Sequence, residues 1–348
     1  MNMKHMISRA SLLLALCAGT QAAQAQDVHF TQFEAAPLIL NPSFTGGFDG
    51  QWRAAAVYRN QWSSVTVPFV TYAASFDLPI ATDISTDDYL AVGGQVYNDN
   101  AGDGKLTNFT GLVSVAYGKF LGAKANNLVS LGVQGGYSEK SLDLSRLYFG
   151  DEFLNGTFQP GTSGEYPYLN NKVKYFTVNA GLSYQARFSD NFGLVLGVGG
   201  NNLNQPKESM MKKANKDVGL GMRYNGQLGI IAYLGDKFSI RPAVLYQSQS
   251  TATELIAGSE FNYIVGSPDV RTWATKVFLS GYYRNSDAIM AAVGMEFKGF
   301  RFGISYDYNI SSLKNASNGN GGFEISLRYI APNLIDFAHK KAQPCARF

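Results

Sequence analysis

The C-terminal part of the chain alternates apolar and polar residues with a period of two. Every second residue is apolar along 289–297, and the same alternation continues along 300–310 and 323–329. Successive side chains of a β-strand point to opposite faces, so each run has one apolar face and one face that carries charges. The pattern therefore predicts three consecutive strands near the end of the chain.

The same alternation begins at residue 51 and divides the chain into fourteen predicted strands. They are 52–59, 69–78, 88–98, 107–120, 127–141, 172–188, 191–200, 219–234, 237–249, 252–266, 272–285, 288–297, 299–310 and 322–330. An even number of strands predicts that both termini lie on the same side of a closed sheet.

Alternation alone fits both a soluble β-sandwich and a membrane β-barrel, so the connections have to decide between them. Taken alternately, one series of connections is mostly short, whereas the other contains the three longest, 142–171, 201–218 and 311–321. Short periplasmic turns that alternate with longer outer loops are typical of outer-membrane barrels, and most runs reach the ~9–11 residues of a tilted membrane strand. We therefore predict an all-β fold, a transmembrane antiparallel outer-membrane β-barrel at 51–330, surrounded by the lipid bilayer.

The first 25 residues are typical of a secretory signal peptide. Lys4 and Arg9 form a basic region, an apolar stretch follows, and the small residues before Gln26 suit cleavage after Ala25. Export followed by barrel formation predicts location in the cell outer membrane, because the hydrocarbon layer admits strands only in closed sheets.

The two ends of the barrel sequence are flanked by segments without alternation. Residues 26–50 are polar and rich in turn residues, which predicts an N-terminal lead-in that is either a plug or a periplasmic stretch. Residues 331–348 form a predicted periplasmic C-terminal tail. Cys345 is the one cysteine that remains after predicted processing, so no internal disulfide is expected.

Composition and motifs favour a protein without enzymatic activity. The 29 basic residues nearly balance the 26 acidic ones, which gives no nucleic-acid-binding footprint. After processing, only His29 and His339 remain as histidines, and no nucleophile–base set or metal-ligand spacing is found, so no catalytic residue, metal or cofactor is predicted. The charged residues of the polar faces are expected to pair across neighbouring strands and to line a wet lumen: Arg53, Arg59, Glu296, Arg301, Asp307, Glu324 and Arg328.

Several sequence blocks resemble the PorP/SprF family. Residues 30–33 (FTQF) and 37–46 (PLILNPSFTG) resemble its N-terminal signature, and 58–62 (YRNQW) and 305–309 (SYDYN) continue the match. The resemblance covers nearly the whole mature chain in order, and it is therefore more specific than a single motif.

The resemblance implies a non-enzymatic outer-membrane component of the type IX secretion and gliding-motility machinery of Bacteroidetes. As partners it implies periplasmic lipoproteins of that machinery and, for some family members, a large secreted surface adhesin. The candidate partner-contact or family-motif residues are Asn41, Pro42, Gly46, Arg59, Asn60, Gln61, Trp62, Asp307, Asn309 and Cys345. The alternative function is a passive outer-membrane transporter or porin for small solutes, which shares the fold and differs in having an open lumen.

Overall fold

The computed structural model describes residues 29–65, 67–85, 87–122, 125–212, 219–265 and 275–332. The predicted signal peptide, its cleavage site at Ala25 and Gln26, and nearly all of the predicted tail, including Cys345, lie outside the described residues.

The strands form a closed antiparallel barrel in which the first strand pairs with the last. The barrel strands are β1 (Arg53–Gln61), β2 (Phe69–Thr82), β3 (Asp88–Ala101), β4 (Leu106–Leu121), β5 (Asn127–Ser141), β8 (Lys172–Ser189), β9 (Phe192–Asn201), β10 (Arg223–Leu234), β11 (Phe238–Gln249), β12 (Ala252–Val265), β13 (Thr275–Arg284), β14 (Ala288–Phe297), β15 (Phe300–Asn309) and β16 (Asn320–Ile330). The remaining two strands, β6 (Phe153–Leu154) and β7 (Thr157–Phe158), form a short ribbon in the loop after β5. The prediction of an all-β barrel with fourteen strands is confirmed.

The predicted strand boundaries are close to the observed ones, with two exceptions, one of which is that β2 continues to Thr82 instead of ending at residue 78. The strand predicted at 219–234 begins only at Arg223, because Gly219 instead forms an isolated bridge with Lys207 inside the preceding loop. Apolar residues at 220 and 222 continue the alternating pattern towards the N-terminus, although the hydrogen-bonded strand does not extend that far.

The two ends of the barrel differ in their connections. At the end where β1 begins and β16 ends, which we call the turn end, the connections are short, such as 190–191 and 298–299. At the opposite end, the loop end, the connections include 142–171, 202–222 and 310–319. In bacterial outer-membrane barrels the short turns face the periplasm and the long loops face outward.

The apolar faces of the strands point away from the lumen. Phe302 is 39% exposed and Leu327 is 45% exposed, whereas Asp307 and Glu324, on the alternate faces of the same two strands, are buried. The predicted assignment of the lipid-facing and interior faces is therefore correct.

Among the described residues, helical structure is confined to short turns. Two helices, α1 (Pro37–Leu40) and α2 (Lys314–Ser317), are accompanied by the 3-10 turns Phe33–Ala35, Pro42–Phe44, Leu144–Arg146, Gly150–Glu152 and Tyr166–Tyr168. None of the helices in the described part of the chain has the length and apolar character needed to cross a bilayer.

The segment before β1, residues 29–50, lies inside the barrel, and we call it the plug. Phe33, Leu40 and Phe44 of the plug are buried against wall side chains such as Leu245 and Met290. The largest buried apolar cluster is therefore formed between the plug and the inner surface of the barrel.

Both termini of the closed sheet lie at the turn end, as the even number of strands predicts, but the plug that precedes β1 extends to the loop end. Gln51 donates its N–H to the carbonyl of Ala331 at 2.8 Å, which fixes the last part of the plug at the turn end. His29, by contrast, lies 4.0 Å from the carboxylate of Glu254, near the loop-end start of β12. The chain thus crosses the lumen before β1, and its first described residue lies at the opposite end from Ile330.

Candidate functional site

The inner surface that contacts the first part of the plug carries paired charges. We define the charged wall as the inward-facing side chains Arg59, Glu260, Arg284, Arg301, Asp307 and Glu324, which come from β1, β12, β13, β15 and β16. Strand pairing explains part of this arrangement, because Arg59 lies directly opposite Glu324 in the register of β1 and β16.

Arg59 links the charged wall to the plug. Its guanidinium donates to Asp307 at 2.7 Å and to Glu324 at 3.0 Å, and it also reaches the hydroxyl of Thr31 at 2.5 Å. The two oxygens of Glu324 accept the backbone N–H groups of Thr31 at 2.9 Å and Gln32 at 2.8 Å. One carboxylate therefore holds two consecutive peptide groups of the plug.

A second group of charges lies closer to the turn end. Glu34 of the plug accepts the hydroxyl of Tyr282 at 3.0 Å and lies 3.9 Å from Arg301. Arg301 also forms an ion pair with Glu260, which in turn contacts Arg241 at 3.4 Å. Most charges in this second group are therefore neutralised by ion pairs between residues of neighbouring wall strands.

On the opposite inner surface, three glycines lie where the plug comes closest to the wall. We define the glycine wall as Gly132 of β5, Gly181 of β8 and Gly197 of β9, all inward-facing. A Cβ at Gly132 would overlap the backbone of Pro42, and one at Gly181 would overlap the side chain of Asn41. Only glycine permits so close an approach of plug and wall.

Asn41 is the central polar residue of this contact and is fully buried. Its amide group donates to the carbonyl of Val198 at 3.0 Å and to Gln227 at 3.2 Å. Its side-chain oxygen accepts the N–H and hydroxyl of Ser43 at 2.9 Å and 2.7 Å, which caps the 3-10 turn Pro42–Phe44. Asn41 therefore both shapes the plug and binds it to the wall.

The plug ends on two further wall contacts. Gly46 has a positive φ of 71°, and its N–H donates to Asp77 at 2.8 Å, while Asp77 is paired with Arg53 at 2.8 Å. Arg53 also donates to the carbonyl of Phe44 at 2.9 Å. Two features require glycine at position 46. Its φ is positive, and a Cβ at this position would overlap Ala91.

The structure brings together half of the candidate residues. Asn41, Pro42 and Gly46 of the plug, and Arg59 and Asp307 of the wall, all lie at the interface between plug and barrel. The expectation that the charges line a wet lumen is wrong at this level of the barrel, because the plug occupies the space and binds the charged wall directly.

The other candidates in the described residues lie at the loop-end rim. Trp62 has a positive φ of 54°, donates its N–H to Gly321 at 2.9 Å and packs its ring 4.9 Å from that of Phe69. Asn309 donates to Ser317 at 3.1 Å, which fixes the loop between β15 and β16. Asn60 and Gln61 are half-buried at the end of β1, away from the plug.

Sequence reasoning missed several residues that hold the plug. Thr31 and Gln32 fall in the FTQF block that resembles the family but were not selected as site residues. Gly132 and Gly181 gave no sequence signal, because an isolated glycine in an alternating run also fits a bulge or an ordinary barrel strand.

The longest loop at the loop end is internally ordered around one carboxylate. Glu152 is fully buried and accepts the N–H groups of Phe149 at 3.0 Å and Gly161 at 2.7 Å, and the hydroxyl of Tyr166 at 3.0 Å. The N–H of Phe149 has the largest effect, and it lowers the pKa of Glu152 although burial acts in the opposite direction.

This loop presents aromatic side chains to the solvent. Tyr148 is 72% exposed and Phe153 is 62% exposed. The loop also pairs with the neighbouring long loop through the Leu169–Met211 bridge. The two longest loops therefore form one surface. Among the described residues no cluster of His, Cys, Asp or Glu could hold a metal ion.

Comparison with known proteins yields one family. The family model described as "Type IX secretion system membrane protein PorP/SprF" matches residues 22–329. No sequence among the curated proteins matches the chain.

Solved structures similar to the chain are outer-membrane proteins. The toluene transporter TbuX of Ralstonia pickettii is 10% identical with a TM-score of 0.47, over 85% of this chain and 94% of that one. The P. putida toluene transporter TodX is also 10% identical with a TM-score of 0.47, over 86% of this chain and 94% of that one. Likeness at this level carries no information about substrate or partner.

Proposed function

The chain belongs to the PorP/SprF family of type IX secretion system membrane proteins, and on this premise we propose that it serves as a closed, non-enzymatic scaffold in the outer membrane. In this role it anchors periplasmic partners of the machinery at the turn end, or assists export and surface attachment of a large adhesin at the loop end.

The single observation that carries this proposal is the occupied lumen. The plug contacts wall strands on all sides, from β1 and β2 through β5, β8 and β9 to β15 and β16. A passive transporter or porin needs a continuous open path, and the buried plug fills that path. Partners must therefore be engaged through the two ends of the barrel.

The two ends offer different surfaces for the two kinds of partner. The long loops present exposed aromatic residues such as Tyr148, Phe153 and Tyr168, and aromatic side chains are enriched where proteins bind one another. The turn end has short connections and leads into the predicted tail 331–348, which lies almost entirely outside the described residues.

Co-purification of partners from outer membranes tests the proposal. We expect tagged full-length protein to retain periplasmic lipoproteins and to lose them when residues 331–348 are deleted. Replacement of residues 150–164 by a Gly-Ser linker serves as the matched change at the other end, and we expect it to reduce recovery of a surface adhesin only. Unchanged recovery of both kinds of partner in both variants would contradict the scaffold function.

A further inference from the structure

The outer surface of the barrel carries almost no charge in its loop-end half. Within the described strands, the charged side chains that point outward there are Glu139 of β5 and Lys172 and Lys174 of β8. Other charged residues of the same half, such as Arg59 and Asp307, are buried on the inner face. One short part of the wall therefore differs from the rest of the lipid-facing surface.

The three residues form one cluster, which we call the outer lysine cluster. Nζ of Lys172 lies 2.7 Å from the carboxylate of Glu139, and Nζ of Lys174 lies 3.8 Å from it. Two ammonium groups and one carboxylate leave one excess positive charge. The lysine side chains are 46% and 59% exposed, and ion pairs so exposed contribute little stability. Both ammonium groups can therefore turn towards another anion at little cost.

The register of the strands places the cluster at the edge of the apolar surface. Glu139 pairs with Lys174, and Tyr137 pairs with Phe176 one step closer to the turn end. Phe176 is 58% exposed, and the hydroxyl of Tyr137 donates to Glu139 at 2.7 Å. Aromatic residues of this kind mark the level of the lipid headgroups. Because the loop end faces outward, the cluster lies at the headgroup level of the outer leaflet.

A groove in the lipid-facing surface begins beside the cluster. Gly111 of β4 pairs directly with Tyr137. Together with Gly94, Val96 and Val113, among others, Gly111 lines a depression of about 660 Å³ that extends over β2, β3 and β4. The groove forms where glycines replace the larger side chains of the neighbouring outward positions. Since it opens into the hydrocarbon layer, it suits an acyl chain.

From the cluster and the adjoining groove we infer that this part of the wall is a binding site for a phosphate-bearing lipid of the outer leaflet. Lys172 and Lys174 hold the phosphate, because lysine binds phosphate as a compact positive charge. An acyl chain of the same lipid lies in the groove beside Gly111. The site is separate from the plug and from the surfaces proposed for protein partners.

Native mass spectrometry of the purified full-length protein tests the inference. The probe is lipid A, a phosphorylated glycolipid with several acyl chains, which is titrated into the protein in detergent. The control probe is the same lipid after removal of its phosphates. Heat-modifiable migration verifies that each variant is folded. We expect the unmodified chain to retain lipid A and to retain the control probe far less.

Removal of the two positive charges should weaken the binding of lipid A. For Lys172→Gln with Lys174→Gln we expect an affinity lower by about tenfold or more, because each lysine near an anionic headgroup strengthens binding roughly fivefold. The charge-matched control is Lys298→Gln with Lys314→Gln, which lie outside the cluster, and it should leave the affinity unchanged. Unchanged affinity in the first pair, an equal loss in both pairs, or equal retention of both probes would overturn the inference.

A substitution that fills the groove tests the position of the acyl chain. We expect Gly111→Leu to weaken the binding of lipid A, although a Cβ at this position meets its nearest neighbour at an ordinary 3.7 Å. The matched control is Gly226→Leu on β10, where a Cβ would meet nothing within 4 Å. Equal affinities of the two leucine variants would overturn the assignment of the groove. Because no secretion partner is present, this outcome is independent of the scaffold function.

Discussion

The two inner walls of the barrel hold the plug by different physical means. At the glycine wall, the backbone at Pro42 comes so close to Gly132 that no side chain fits between them. At the charged wall, Arg59 and Glu324 reach the plug through hydrogen bonds to Thr31 and Gln32. Close packing at the glycine wall depends on the shape of the plug, whereas the contacts at the charged wall depend on polar groups of its main chain and its side chains.

The two parts of the plug therefore differ in the kind of contact that holds them inside the barrel. Residues 36–48 are buried, and they contact both the backbone and the side chains of the wall. Residues 29–34 are held near the loop end by hydrogen bonds and ion pairs with the charged wall, and Phe33 packs its ring 5.3 Å from that of Tyr282.

The largest expected effect is at the charged wall. Arg59→Met leaves Glu324 buried without its cation and leaves Asp307 with Arg284 alone, 3.6 Å away, and breaking a buried ion pair in this way costs about 3–5 kcal/mol. We expect a lower free energy of unfolding in urea titration of the reconstituted protein. Adding Asp307→Asn and Glu324→Gln should restore part of the loss. A single variant as stable as the unmodified chain would show that the charged wall contributes no stability.

The lipid-facing side of the same strands provides the next test. Ile304 alternates with the inward-facing Ser305 on β15, so Ile304→Arg places a charge in the hydrocarbon layer at a cost of about 2–4 kcal/mol. We expect loss of heat-modifiable migration on gels, which reports barrel assembly, whereas Ile304→Met should migrate normally. Normal migration of the arginine variant would contradict the assignment of the two faces.

At the glycine wall, a single methyl group should be harmful. Gly132→Ala forces a Cβ against the backbone of Pro42, and overpacking of this kind typically costs about 1–3 kcal/mol. The matched control is Gly226→Ala on β10, where a Cβ would meet nothing within 4 Å. We expect a lower urea midpoint for the first variant only. Equal midpoints would mean that the plug is not closely packed against this wall.

The sequence predicted the wall of the barrel much better than its contents. Alternation determines which face of a strand is apolar, and it placed Phe302 and Leu327 outward and Asp307 and Glu324 inward correctly. It carries no information on what fills the interior, since a water-filled lumen and a polar plug require the same inward-facing residues. The direction of the chain at His29 was missed for that reason.

The plug itself was difficult to recognise because its sequence is typical of a loop. Asn41-Pro42 and Gly46-Gly47 are ordinary turn signals, and a turn-rich segment normally lies on the surface. Only the long-range contacts, such as Asn41 with Val198 and Gly46 with Asp77, show that its polar groups are satisfied inside the barrel. Such pairings join residues far apart in the chain, and a single sequence does not reveal them.

The smallest effect is expected outside both walls, in the loop 142–171. Because the pKa of Glu152 is lowered in the folded loop, its stabilisation is present above the ordinary glutamate value of about 4.3 and is lost as the pH falls through the lowered value. We expect the protection factors of the amides in this loop, which compare their exchange rates with the intrinsic rates at the same pH, to fall at acidic pH. Glu152→Gln should abolish this pH dependence of the protection factors, whereas Glu165→Gln, an exposed change in the same loop, should leave it intact. Protection factors that do not change with pH would exclude this role of Glu152.

The most direct test of the plugged barrel is electrical conductance of the purified full-length protein in planar lipid bilayers, with insertion verified by heat-modifiable migration of the same preparation. The occupied lumen predicts a current indistinguishable from that of the bare bilayer, at either polarity. A steady open-pore current from the unmodified chain would contradict the account, because ions would then have a continuous path past Asn41 and Arg59.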